Sequence, residues 1–355
     1  MIGLVLGPST GGIAVHVAGI AAAGRARGDE VRLVGPSGTA DRSDLGGEAW
    51  GHPLLAPVVL ARRLAGCDIV HAHGARAGLL TALALLFLRH RPARTRQVPF
   101  LVTWHNPPRG PRACDRVLAR AADVSLCVSR DLCARVEAAR GRPVLAPVAA
   151  ALRPAADGAR ARVRHELGLV DQPLVLAVAR LAPQKGLGLL VRAAAMIPVQ
   201  QGSRPPTVAL AGEGPLRARL SAQAARYGVD LRLLGARSDI GDLLAAADVV
   251  VLPSRWEGSP LVAQEALHAQ RPLVATDVGG VRALVGDGAA LVPPEDATAL
   301  AAAIGHLLSD PAAAARLAAG GRERAAGWPS AEASLAGVLA CYDGLVAARA
   351  RRARA

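Results

Sequence analysis

The stretch Ser254-Arg255-Trp256-Glu257-Gly258-Ser259-Pro260-Leu261-Val262-Ala263-Gln264-Glu265 decides how this chain is read. Ahead of it, Val249 to Leu252 is an apolar run of strand length, closed by Pro253. Behind it a helix begins, with Ser259 in the N-cap position and Pro260 at the first helical position, where its missing N–H costs nothing. A helix N-terminus presents unpaired N–H groups and partial positive charge, so this turn is a seat for an anion. Glu257 stands in the loop before the helix, and Glu265 about one and a half turns inside it. A phosphate seat with a carboxylate on either side suits a sugar nucleotide. The diphosphate takes the N–H groups, and each carboxylate accepts hydrogen bonds from hydroxyls on its own side. Taken alone, the stretch is equally an ordinary strand–loop–helix corner with two surface glutamates.

Outward from it, strands and helices alternate along the whole chain, the pattern of parallel α/β sheets. Residues 2 to 6 read as a buried strand, followed by a turn at Pro8 to Gly12, a helix from about Ile13 to Arg27 and a strand at Val31 to Val34. Gly11 and Gly12 let backbone approach a ligand closely at the helix start, although no GxGxxG fingerprint is present. Residues 35 to 57 read as a Gly- and Pro-rich loop, and Leu79 to Leu88 as a strongly apolar helix followed by Arg89, Arg91, Arg94 and Arg96. A second set of units begins near Pro173 and runs to helices at Leu300 to Leu308, Ala312 to Ala326 and Leu335 to Ala348, with a basic tail after it. The expectation is an α/β chain of two doubly wound Rossmann-like domains facing a central cleft: residues 1–150, residues 151–327, and a C-terminal helix over residues 328–355. Ligands of such sheets sit beyond the carboxyl ends of the strands. There the first domain offers Gly12, His73, His105 and Ser129, and the second offers Arg180, Lys185, the turn at 212 to 214, Glu257 and Glu265. His73 is at least as readily a structural histidine.

Composition narrows the function classes. The net charge is +14, yet 42 residues are Lys or Arg and all but one of them are arginine. With so much Ala, Gly and Pro, the arginines read as compositional drift. Without aromatic interleaving they give no nucleic-acid footprint. Attraction to an anionic membrane face stays open: the apolar helix with its basic run reads first as a core helix with a solvated end, and in the sharper reading as a membrane-docking element. The one lysine, Lys185, stands out in a chain that otherwise prefers arginine: a compact ammonium enters a tight phosphate site as a point charge. Five cysteines without a CxxC pair fit a reduced, cytosolic setting, and neither a signal peptide nor a run of 18 purely apolar residues is present.

Arg180-Leu181-x-x-x-Lys185-Gly186, Gly212-Glu213-Gly214-Pro215, and Pro253-Ser254 through Glu257-x7-Glu265-Ala266, together with Gly11-Gly12 and Thr103-x-His105, resemble the large retaining glycosyltransferase family 4, the glycosyl transferases group 1, which has the two-domain GT-B fold. The resemblance covers nearly the whole chain. It implies transfer of a sugar from a nucleotide-diphosphate sugar to an acceptor, with the anomeric configuration kept. It implies that Arg180 and Lys185 hold the donor diphosphate and stabilise the leaving charge, that Glu257 binds donor-sugar hydroxyls, and that Glu265 holds the ribose. Gly12, Gly212, Gly214, Arg237, Gly258, Ser259, Leu261 and Val262 complete the implied donor site, and His105 lies near the donor sugar and acceptor. No catalytic metal or cofactor is implied, and the chain has no DxD triplet. One departure is Ala146-Pro147-Val148-Ala149-Ala150, where the family often has a Pro-Asn-Gly-Val-Asp-like turn. Competing readings are a nucleotide-sugar epimerase of GT-B architecture, an inactive sugar-nucleotide-binding protein and, more remotely, a nicotinamide oxidoreductase. The acceptor, the donor base and the donor sugar are not readable from the residues.

Overall fold

The computed structural model describes residues 1–8, 11–36, 47–49, 56–89, 98–107, 112–198 and 204–354. The chain forms two units, Met1–Val148 with Pro329–Ala355, and Ala149–Trp328. Each is built on one parallel sheet.

In the first unit the strands are β1 (Ile2–Leu6), β2 (Val31–Gly35), β3 (Glu48–Ala49), β4 (Ile69–His73), β5 (Phe100–Trp104), β6 (Val124–Cys127) and β7 (Pro143–Leu145), in the order β3-β2-β1-β4-β5-β6-β7. Strands β1, β4 and β5 are buried along their whole length, as strands covered on both faces must be; β1 accordingly reads as a continuous apolar run, whereas β4 buries His71 and His73. The helices are α1 (Gly12–Ala26), α2 (Ala56–Arg63), α3 (Ala75–Arg89), α4 (Arg112–Ala121) and α5 (Arg130–Ala138). Chain order reverses between β1 and β4, the point where ligands of such sheets bind. Gly12 follows β1 there, and His73 ends β4. The C-terminal helix, Ala331–Arg354, packs on α1 and places Val338, Leu339 and Tyr342 in a core with Leu4, Ile20 and Leu101.

The second unit carries β8 (Leu174–Val178), β9 (Thr207–Ala211), β10 (Leu231–Gly235), β11 (Val249–Leu252), β12 (Leu273–Thr276) and β13 (Ala290–Val292), in the order β10-β9-β8-β11-β12-β13. Here the order reverses between β8 and β11, which pair through Val249 with Val175 and Val250 with Leu176. Its helices are α6 (Ala159–Glu166), α7 (Leu187–Ala194), α8 (Arg217–Tyr227), α9 (Ile240–Ala246), α10 (Leu261–His268), α11 (Val281–Val285), α12 (Ala297–Ser309) and α13 (Pro311–Ala326). The starts of α12 and α13 follow from local chemistry. Asp296 accepts a hydrogen bond from the Ala299 N–H and Asp310 from the Ala313 N–H, both at 2.9 Å, and Pro311 opens α13 at its first position.

Three sequence expectations change. Residues 48–49, read as loop, form β3, and the short or weakly patterned helices α2, α4, α5 and α11 are additional. The last helix runs to Arg354, so the arginines read as a tail are helical. Pro311–Arg352 is long and apolar enough by length and composition to cross a membrane, yet it is two helices here, broken before Pro329. Arg91, Arg94, Arg96 and most of the 35–57 loop lie outside the described residues.

Candidate functional site

In the second unit, the loops after β8 and β11 are bonded to each other. After β8 the chain makes a 3-10 turn, Pro183–Lys185. The Arg255 N–H donates to the Gln184 carbonyl at 2.8 Å, and Gln184 Nε2 donates to the Trp256 carbonyl at 3.0 Å. Lys185 Nζ and Ser254 Oγ both donate to Glu257 Oε1 at 2.6 Å. The Glu257 side chain is only 6% exposed and that of Lys185 24%. The carboxylate is therefore held and oriented, while the ammonium has two further N–H donors at the surface. Thr276, at the end of β12, donates its hydroxyl to the Ser254 carbonyl, and the Gly280 N–H donates to the Glu257 carbonyl at 2.9 Å. Three strand ends, those of β8, β11 and β12, thus fix one lysine–glutamate pair at the reversal point of the sheet.

Two glycines make this approach feasible. Gly186 has φ +60°, and a Cβ there would stand 1.9 Å from the Pro253 carbonyl oxygen. Gly212, with φ +143°, would put a Cβ 2.0 Å from the Ala179 carbonyl oxygen. The turn it opens holds the loop that carries Arg180, since the Leu181 N–H donates to the Glu213 carbonyl at 2.9 Å. Gly186→Ala is expected to cost more than about 2 kcal/mol, combining left-handed backbone strain with a backbone clash. Chemical denaturation checks this, and an unchanged midpoint would show that the two loops are not in contact.

Helix α10 starts one residue later than expected. Pro260 is its N-cap and Leu261 its first residue, with no side-chain cap. Ser259, expected to cap, instead accepts a hydrogen bond from Gln264 Nε2 at 3.1 Å, and Gln264 Oε1 accepts from the Ala150 N–H at 2.9 Å. Among the described residues, no side chain caps this first turn, where the N–H groups of Leu261 and Val262 lie. Gly258 is buried in the loop before them. Burial pushes the Glu265 carboxyl above its ordinary range, partly offset by Arg153. Arg180 is exposed and makes no ion pair with the described residues. Arg237, implied at the donor site, is ion-paired within its own unit. It is held by Glu166 and Asp239, both at 2.6 Å, and these hydrogen bonds raise its pKa. Its charge is neutralised by two carboxylates of the same unit.

In the first unit, His105 sits in a cluster of four buried histidines. His73 Nδ1 lies 3.2 Å from His105 Nε2, and the His16 ring centroid lies 5.8 Å from that of His73 and 5.6 Å from that of His105. His71 bridges Tyr342 Oη and Thr103 Oγ1, each at 2.6 Å. His73 Nε2 is buried with no hydrogen-bond partner among the described residues. Burial is the main cause that lowers all four pKa values, His16 to about 4 and His71 to about 3, with His73 and His105 also well below the usual value. All four imidazoles are neutral at pH 7. Gly12, the first residue of α1, is exposed. A Cβ at the neighbouring Gly11 would meet nothing, and its φ of −130° suits any residue. Neither packing nor strain calls for glycine there. Ser129 is the N-cap residue of α5 and makes no side-chain cap bond.

Sequence reasoning passed over Gln184, Ser254, His16 and His71. Ser254 was legible as the third residue before Glu257; the others show only through tertiary contact. Among the described residues, no group of three or more His, Cys, Asp or Glu is placed to hold a metal ion. The five cysteines are free.

This architecture has relatives. The family described as Glycosyltransferase Family 4 matches residues 10–146, and that described as Glycosyl transferases group 1 matches residues 160–324. A D-inositol 3-phosphate glycosyltransferase of Xylanimonas cellulosilytica is 33% identical over 336 residues, covering 86% of this chain and 80% of that protein. The alpha-D-kanosaminyltransferase of Streptomyces kanamyceticus is 37% identical over 182 residues, which span 50% of this chain and 46% of that enzyme. Among solved structures, Anabaena Alr3699/HepE in complex with UDP-glucose aligns with a TM-score of 0.80 at 21% identity, over 96% of this chain and 100% of that one. Two family models matched in order along the chain, and a relative one-third identical over most of both sequences, establish that the chain belongs to the glycosyl transferases group 1, glycosyltransferase family 4, and is a glycosyltransferase of the GT-B fold.

Proposed function

We propose that the chain transfers a sugar from a nucleoside-diphosphate sugar with retention of anomeric configuration, and without a catalytic metal. The observation that carries the reading is the Lys185–Glu257–Ser254 group at the β8/β11 reversal point, beside the uncapped N-terminus of α10. In this proposal the donor diphosphate lies over the N–H groups of Leu261 and Val262, with Gly258, Ser259, Gly212 and Gly214 shaping its seat. Arg180 and Lys185 face its oxygens. Glu257, held by Lys185 and Ser254, offers its other oxygen to sugar hydroxyls, and Glu265 accepts hydrogen bonds from the ribose.

The chemistry is then mostly electrostatic. The bond from the anomeric carbon to the phosphate oxygen breaks, and its electron pair stays on the phosphate, where the two cations stabilise it. An acceptor hydroxyl attacks the short-lived cation from the same face and passes its proton to the departing phosphate oxygen. The UDP-glucose complex of a structural neighbour supports a nucleotide-sugar donor.

The test is a thermal-shift screen with uridine, guanosine and adenosine diphosphate sugars. A ligand at 100 times its Kd stabilises by about 2.7 kcal/mol, so one nucleotide class should raise Tm by roughly 5 °C or more. Glu265→Ala should abolish most of that rise. No response to any of the three classes would defeat the donor proposal. An inverted anomeric configuration in the product, read by NMR, would defeat retention alone.

A further inference from the structure

Helix α3 is apolar nearly all round, and it turns its bulky residues outward. Its packed face is made of small residues, Ala77, Gly78, Thr81 and Ala84, all buried. Gly78 is pressed so closely that a Cβ there would stand 2.8 Å from Leu118 of α4 and 3.1 Å from Val102 of β5. With the inner face this tight, the bulky side chains have only the outside. Leu83, Leu86 and Phe87 are 49%, 48% and 55% exposed, and with Arg76, Leu79 and Leu80 they recur at spacings of three and four, one continuous stripe along the helix. The stripe is extended by Val58 of α2, 41% exposed, and Val117 of α4, 60% exposed; α2 and α4 both pack against α3. A water-facing run of this kind marks an interaction surface.

Charge selects the partner. On α2, α3 and α4 the exposed charged residues are Arg62, Arg63, Arg76, Arg116 and Arg120. The one acid of these helices, Asp115, is buried and paired with Arg135. Arg63 is paired with Glu48 of β3, and the remaining guanidinium groups beside the apolar stripe are complementary to anionic headgroups over acyl chains. A second copy of the chain is disfavoured, because a two-fold contact through the same face would set arginines against arginines. Length decides the mode of contact. Fifteen residues at about 1.5 Å each span roughly 22 Å, short of a hydrocarbon core of about 30 Å. The helix lies in the interface and does not cross it.

We infer that the outer face of α3, with its α2 and α4 neighbours, docks this glycosyltransferase on anionic lipid bilayers. Long arginine stems also cover apolar surface while keeping the charge in the headgroup layer, so both parts of the face act together.

The experiment is vesicle flotation of the full chain with phosphatidylcholine alone and with an equal mixture of phosphatidylcholine and phosphatidylglycerol. Wild type should float with the mixed vesicles and not with the neutral ones. Leu83→Ser/Phe87→Ser should reduce that binding by roughly tenfold or more. Both side chains are already in water, so its Tm should stay near wild type. Arg116→Glu/Arg120→Glu should lose binding at low salt. Met196→Ser, removing an equally exposed apolar residue of the second unit, should bind as wild type does. The proposal is overturned if wild type does not float with the mixed vesicles. It is overturned if Leu83→Ser/Phe87→Ser floats as well as wild type, since charge alone would then account for binding. It is also overturned if wild type is a dimer that this double variant makes monomeric without any vesicle binding, since the face would then belong to a second copy.

Discussion

Lys185→Ala and Glu257→Gln are each expected to lower kcat by roughly 10²–10³-fold, the scale of losing one preorganised charge partner of a transition state. The two act differently on the fold. Removing the ammonium leaves Glu257, 6% exposed, with the Ser254 hydroxyl as its remaining side-chain partner. A nearly buried carboxylate stripped of a partner costs about 1–3 kcal/mol. Lys185→Ala should therefore also lower Tm. Glu257→Gln keeps the shape of the side chain and an oxygen able to accept from Ser254, so its stability loss should be smaller while its loss of turnover should not. Lys185→Arg separates charge from shape. The planar guanidinium keeps the charge but does not fit the seat of a compact ammonium, so its rate should stay well below wild type. Single-turnover rates at saturating donor, measured well below each Tm, are the check. Rates within threefold of wild type for Lys185→Ala and Glu257→Gln, in folded protein, would remove this pair from the chemistry.

Acidification is expected to unfold the first unit early. Burial holds His16 near pKa 4 and His71 near pKa 3, and keeps His73 and His105 low as well. Unfolded histidines titrate near 6.5. Above that pH both states are neutral and nothing is lost. As pH falls through 6.5 the unfolded chain takes up protons that the folded cluster refuses, so stability falls with a slope approaching 1.4 kcal/mol per pH unit for each such histidine. For His16 alone the loss approaches about 3 kcal/mol by pH 4. The carboxylates held below their usual range by partners, Glu166 and Asp239 among them, contribute losses only further down, below about pH 4.5. The interval from pH 6.5 to 5 therefore reports mainly the histidines, His268 included, with Glu265, raised by burial, acting in the opposite sense. Calorimetry across it should show a steep fall in Tm, and His16→Gln should flatten that fall. A Tm independent of pH in this window would mean that the four rings are not buried together.

Much of the architecture was legible because a parallel sheet covered on both faces writes itself as continuous apolar runs: Ile2–Leu6, Leu174–Val178 and Val249–Leu252 are such strands. Lys185 stood out by composition, and Glu257 and Glu265 by their place around a helix start. What was illegible had no local period. The two-residue β3 and the five-residue α11 are shorter than any pattern that could announce them. Ser259 satisfied every local rule for a cap, yet a side chain five residues on, Gln264, engaged its hydroxyl. Arg237 sat at a strand end like its neighbours, but Glu166, distant in sequence, neutralised it.

By itself the sequence determined the strand–helix alternation, the turn chemistry around Pro260, and which residues end the strands, because these rest on neighbours within a few positions. Only the tertiary structure decided which of those ends meet. Lys185 reaches Glu257 because β8 and β11 are adjacent where the strand order reverses, and because Gly186 lets one loop's backbone touch the other's. His71 reaches Tyr342 because the last helix returns to pack on the first. Contacts between residues 72 and 271 positions apart leave no periodic trace in the chain; they follow from strand order and close packing, which exist only once the whole sheet has formed.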